Sequence, residues 1–225
     1  MNESQRQSLL GAVAISSGAS GFGNVTPQQR ADAYNNLEQF KTYPGRMAAC
    51  IEMIGCGSLQ TAGVNNSLVD VTVPGKLYAF GVTQDFLKVG YNDLNESDRG
   101  QLRSSIVLAA RQLAMSADGS SITMNDSTRI LAVKIAALLA DLALREFPQR
   151  WQTFVSDLLS PVSKGGMWCE AGADMNIGAS ASGVKICLEC FKLITEDCTD
   201  SDYNARVGDI NWIHASLFYF PNIYV

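Results

Sequence analysis

Histidine is almost missing from this chain. The one copy, His214, has no serine, cysteine or acid partner that spacing assigns to it, so it cannot be read as the base of a catalytic dyad or triad. A basic excess is also lacking. The 17 lysines and arginines stand against 22 aspartates and glutamates, a net charge of −5, which gives no global footprint for nucleic acid and leaves room for local patches of either sign. No apolar run reaches the roughly 18 residues of a membrane span. The nearest, Ile130 to Leu144, is interrupted by Lys134 and Asp141, and no membrane insertion is expected. The polar start, Met1-Asn2-Glu3-Ser4-Gln5-Arg6-Gln7, does not read as a signal peptide, so the Asn-x-Ser sequences at Asn65 and Asn95 read as chance. Six unevenly spaced cysteines do not form a disulfide framework, and a cytosolic or nuclear setting fits them best. Strand signals are poor. Val69 to Val73 alternates, but an isolated strand has no partner and reads as extended loop.

What the chain does have is apolar content near half, enough for a folded core, arranged almost throughout at helical spacing. A weak first helix is predicted from about Ser4 to Ser16, then a Gly/Ser loop to Val25. Thr26-Pro27-Gln28-Gln29 reads as a helix start with a capping box, and Ala33, Leu37 and Phe40 mark its buried face. A third helix is predicted after Pro44, carrying Met47, Cys50, Ile51 and Ile54, then a loop from Leu59 to Asp70. A fourth is predicted after Pro74, with Leu77, Phe80 and Leu87 inward. Ser97 is the expected cap of a fifth, which turns Leu102, Ile106, Ala109 and Leu113 inward and Arg103 and Arg111 to the opposite side. The sixth, opening at Asn125 or Asp126, is apolar nearly all round except for Lys134, Asp141 and Arg145, so it must be covered on several sides. Gly165 to Gly183 reads as loop, and an eighth helix, about Val184 to Asp197, sets Ile186, Cys190, Leu193 and Ile194 against Lys185, Glu189, Lys192 and Glu196. Paired helices at this spacing predict an all-α fold, an α-solenoid of HEAT-like antiparallel helix pairs.

The most informative stretch lies between the sixth and seventh helices. Pro148 ends the sixth, because its ring clashes with the preceding turn and it brings no N–H. It also suits the first position of a new helix, and Trp151, Phe154, Val155, Leu158 and Leu159 then recur on one face. A sharp corner between helices near 126–147 and 149–160 is therefore expected, with Trp151 buried against the sixth.

Other motifs favour plain readings. Ser17-Gly18-Ala19-Ser20-Gly21-Phe22-Gly23 looks like a dinucleotide loop, but the alternating strands of a parallel sheet are missing, and it reads as a turn. Cys187-Leu188-Glu189-Cys190 is a lone pair where structural zinc needs four ligands, and both thiols fall on an apolar face. Asp141 and Arg145, four residues apart, read as solvated decoration. No catalytic, cofactor or metal residues are assigned, and the chain reads as a binding protein rather than an enzyme.

Arg145, Glu146, Phe147, Pro148, Gln149, Arg150 and Trp151, followed by Phe154 and Leu158-Leu159, resemble the exportin branch of the karyopherin-β family. Phe147 replaces a tryptophan of that pattern and Gln152 a common proline. Weaker likenesses run from Gln29-Arg30 through Lys41, over Phe80 to Leu87, and to Leu193-Ile194-Thr195-Glu196-Asp197; their order is most like the branch that carries small structured RNA. The resemblance implies HEAT-like repeats over residues 1–207, an exportin-one/importin-β-like domain over about 98–207, and an atypical aromatic tail at 208–225. It implies a nuclear transport receptor moving between nucleus and cytoplasm, with Ran in its GTP form, export cargo of protein or structured RNA, and nucleoporins as partners. Second helices of each repeat, near Arg30–Lys41, Lys76–Lys88 and Arg129–Arg145, would line the inner surface. Receptors of that branch are several times longer, so a truncated or partial chain is implied, its apolar tail prone to self-association. The alternative is a stand-alone helical-repeat scaffold with no dependence on Ran.

Overall fold

The computed structural model describes residues 1–63, 67–116, 126–159 and 181–199. The tail at 208–225 with His214, the 165–180 part of the glycine-rich stretch, and the side chain of Leu113 lie outside the described residues. Among the described residues, eight helices and one two-stranded ribbon follow in order. They are α1 (Glu3–Ser17), α2 (Pro27–Phe40), α3 (Arg46–Gly55), β1 (Gln60–Ala62), β2 (Leu68–Asp70), α4 (Thr72–Val89), α5 (Glu96–Ser116), α6 (Asp126–Glu146), α7 (Phe154–Leu159) and α8 (Ala181–Thr199). A 3₁₀ turn at Tyr91–Asp93 joins α4 to α5.

Helices pair as α1 with α2, α3 with α4 and α5 with α6, and neighbouring pairs stack. One row runs α1, α4, α6, α8; beside it α3 packs on α5. This is the all-α, solenoid-like arrangement expected from the sequence. The first pair departs from the expected inner row: α1 continues the line of α4 and α6, while α2 meets α4 where the Tyr78 hydroxyl donates to Leu37 O (2.7 Å) and its ring packs on Phe40. Burial accounts for this. α1 buries Leu9, Leu10, Ala12, Val13 and Ala14, whereas α2 buries only Ala33, Leu37 and Phe40. Nor is α1 a weak helix. Asn2 and Gln5 close a capping box at its start, and Gly18 ends it in the left-handed conformation (φ 70°).

The Thr26–Gln29 box opens α2 as expected. Two other starts differ. Asn95, not Ser97, caps α5, its Oδ1 accepting from Asp98 N at 2.9 Å. α4 begins at Thr72, two residues before Pro74, because Asp70 Oδ1 accepts from both the Thr72 amide and its hydroxyl. The expected loop at 59–70 contains a ribbon instead. β1 and β2 pair antiparallel, Thr61 opposite Val69. Both of those side chains turn inward, and the ribbon packs on α1, where the Thr61 hydroxyl reaches Gln7 O.

α6 is the most enclosed element among the described residues. Leu131, Ala132, Ile135, Ala136, Leu138, Leu139, Ala140, Leu142, Ala143 and Leu144 are all buried, because α4, α5 and α8 cover it from three sides. Among the described residues, no helix is long and apolar enough to cross a membrane.

Candidate functional site

The corner after α6 brings the resemblance residues together. Phe147 N still donates to Ala143 O (2.8 Å), and the Phe147–Pro148 bond is cis. No helix starts at Pro148, contrary to the sequence expectation. Arg150 N and Trp151 N both donate to the last helical carbonyl, Glu146 O, at 2.8 and 3.0 Å. The chain therefore curls back under the end of α6, and α7 begins only at Phe154, six residues long. Helical periodicity had included Trp151 in the new helix, whereas its amide is spent on closing the turn.

Trp151 is nevertheless buried, at 6% exposure, with its ring contacts to Phe154 and Arg103 rather than to α6 as expected. Its ring meets Phe154 edge-on at 4.9 Å, and Phe147 packs on Phe154 at 6.0 Å. The indole Nε1 donates to Asp157 Oδ2 (2.8 Å), which also accepts from the Thr153 hydroxyl. Ala143, Leu144, Phe147, Phe154, Val155, Phe191 and Ile194 line a small, partly open apolar pocket of about 20 Å³ between the corner and α8.

Glu146 is the ionic centre of the corner. Its side chain is 0% exposed, with Arg103 Nη1 on Oε2 at 2.8 Å and Arg150 Nε on Oε1 at 3.0 Å. Arg103 Nη1 also donates to Arg150 O, Arg150 Nη2 donates to Arg145 O, and the Arg103 guanidinium lies 5.8 Å from the Trp151 ring centre. Arg103 thus does not face away, as its place opposite the α5 stripe suggested; it reaches across to the corner. Tyr91 is fully buried beside Glu146, its hydroxyl close to that carboxylate though outside good hydrogen-bonding geometry. Burial first, and the Glu146 carboxylate second, push that hydroxyl above the ordinary tyrosine range. Arg145 is half-buried, its Nε enclosed without an acceptor.

Asp141 is not solvated decoration, since it accepts from Gln84 Nε2 (2.7 Å) and ties α6 to α4. Gly21 of the glycine-rich loop has φ 115°, and a Cβ there would lie 2.6 Å from Val69 Cγ2. The loop is packed on the ribbon. Cys187 and Cys190 lie on the buried face of α8; burial raises both thiols, Cys187 to about 11, which suits inert side chains. Among the described residues, no three histidine, cysteine or acidic groups gather to hold a metal. Sequence reading also missed Lys76, whose exposure is 2%; burial lowers its amine below the ordinary lysine range.

Residues 128–211 match a family model described as exportin 1-like protein, a span that contains the whole corner. The match supports the exportin and karyopherin-like resemblance read from the sequence, whose members are transport receptors rather than enzymes. No curated protein matches the chain.

Proposed function

We propose that this chain is the N-terminal part of a nuclear export receptor. Residues 1–207 would form its first HEAT-like repeats, and about 98–207 its exportin-one/importin-β-like domain, followed by the atypical tail at 208–225. The observation that carries this is the exportin 1-like match over 128–211, on a stack of paired helices whose corner holds Arg145, Glu146, Phe147, Pro148, Trp151 and Phe154 close together. In this reading the chain binds Ran in its GTP form, meets nucleoporins, and shuttles between nucleus and cytoplasm. The order of its weaker likenesses favours exportin five among the branch, and hence protein or small structured RNA as cargo. A pull-down with immobilised Ran tests the reading. Retention by the GTP form and not the GDP form is expected; equal retention, or none, leaves the stand-alone scaffold.

A further inference from the structure

The junction of α2 with α3 and the last turns of α4 share a partly open pocket of about 190 Å³. That is smaller than the roughly 300–1,000 Å³ of sites for cofactors and drug-sized ligands, and it suits a single residue. One wall is apolar. Val82, Phe86 and Val89 follow at i, i+4 and i+7 on one face of α4. Val89 is 84% exposed, so this wall is open to solvent among the described residues. The Phe86 ring is fixed from two sides. The Arg46 guanidinium lies 5.4 Å from its centre, and a Cβ at Gly90 would lie 2.8 Å from its Cε2. Glycine at position 90 is what lets the ring lie there.

The polar lining carries opposite charges that do not pair. Arg46, at the start of α3, donates through Nη1 to Tyr43 O at 3.2 Å and has no carboxylate at ion-pair distance among the described residues. That bond and the Phe86 ring hold the guanidinium in place without neutralising it. Asp85, next to Phe86 on α4, is exposed and makes no hydrogen bond or ion pair among the described residues. Lys41 is committed to Glu38 at 2.7 Å; that hydrogen bond foremost, and Asp85 more weakly, raise its amine. The pocket thus joins a cation without an acid, an acid without a base, and an apolar wall. A polyanion is disfavoured by Asp85 and by Glu38 beside it, and this counts against an acidic peptide as much as against nucleic acid.

We propose that this pocket captures the C-terminal residue of a partner protein chain, a residue with an apolar side chain. A chain end brings one group for each part of the lining. Its α-carboxylate suits the Arg46 fork, its backbone N–H can donate to Asp85, and its side chain covers Val82, Phe86 and Val89. The open side lets the preceding residues leave. A free apolar amino acid shares the carboxylate and the side chain, and the test separates the two. The site stands apart from the transport reading, because it needs neither Ran nor the corner after α6.

A short peptide ending in leucine, with an uncharged fluorophore and its free α-carboxylate as the only charge, is titrated into the 225-residue chain. Its C-terminal amide, free leucine and a short RNA are the parallel probes. The free-acid peptide is expected to bind, and the amide to bind about tenfold more weakly, the size of one charge-assisted hydrogen bond. Arg46→Gln is expected to bring the free acid down to the affinity of the amide. Val89→Ser, at a position too exposed to matter for folding, is expected to weaken the peptide about fivefold. Thermal melts of both variants run alongside. Should Arg46→Gln fail to fold, the amide and Val89→Ser still decide. No binding of the peptide, equal binding of its amide, unchanged affinity in Val89→Ser, or binding of free leucine or RNA as tight as that of the peptide each overturn the proposal.

Discussion

At the scale of single residues, a helical chain has buried two charges at very different cost. Glu146 lies in the interior with two guanidinium partners, so its desolvation is offset, and removing it strands their donors. Glu146→Ala is expected to lower stability by about 3–5 kcal/mol, read as a shift in the denaturant midpoint. Lys76 lies in the interior with no hydrogen bond or ion pair among the described residues, and burial lowers its amine. Between that lowered value and the ordinary one, the unfolded chain holds more protons than the folded chain. Stability therefore rises with pH across that window, and the burial penalty is fully present below it. Lys76→Met is expected to stabilise by about 1 kcal/mol near neutral pH, a gain that shrinks as pH climbs toward the ordinary lysine range. Denaturation at neutral and alkaline pH checks it; a gain that stays constant or grows contradicts the assignment. Neither role was legible in the sequence. Arg103 lies 43 residues from Glu146, beyond any local pattern, and Lys76 stands where a helix would ordinarily show a lysine to water.

At the scale of elements, periodicity succeeded where a helix is long and failed where packing or a side chain set the boundary. α6 was legible because an almost wholly apolar 21-residue helix has to be covered on several sides. α7 was misplaced because Glu146 O captures two amides after Pro148, a choice that the apolar stripe does not record. The ribbon was missed because its strands are three residues each and stabilise one another only as a pair resting on α1. Trp151→Ala is expected to cost about 3–5 kcal/mol. Trp151→Phe keeps a ring against Phe154 but loses the bond to Asp157, and should cost about 1–2 kcal/mol. Equal midpoints for the two variants would show that the corner is not held as described. Gly21→Ala strains a left-handed backbone and pushes into Val69, so it should cost more than about 1 kcal/mol. Thermal melting checks this, and Gly57→Ala, which meets open space, serves as the control.

At the scale of the whole molecule, stacked pairs give a surface that grows by addition. If the transport reading holds, a partner that wraps a long arch meets only its first pairs here, while association still carries its full entropic cost. Ran-GTP is accordingly expected to bind weakly, and calorimetry giving nanomolar affinity for this chain would contradict that.

The enclosure of α6 has a consequence in time as well as in space. An amide can trade its hydrogen with solvent only when its helix opens, and elements open separately where few neighbours hold them. α2 can part from α1, and α3 from α5, without disturbing α6. α6 cannot open without releasing α4, α5 and α8 together. In heavy water, amides from Ile135 to Leu144 should therefore keep their protons longest, and their lifetime should set the clock for global unfolding of the stack.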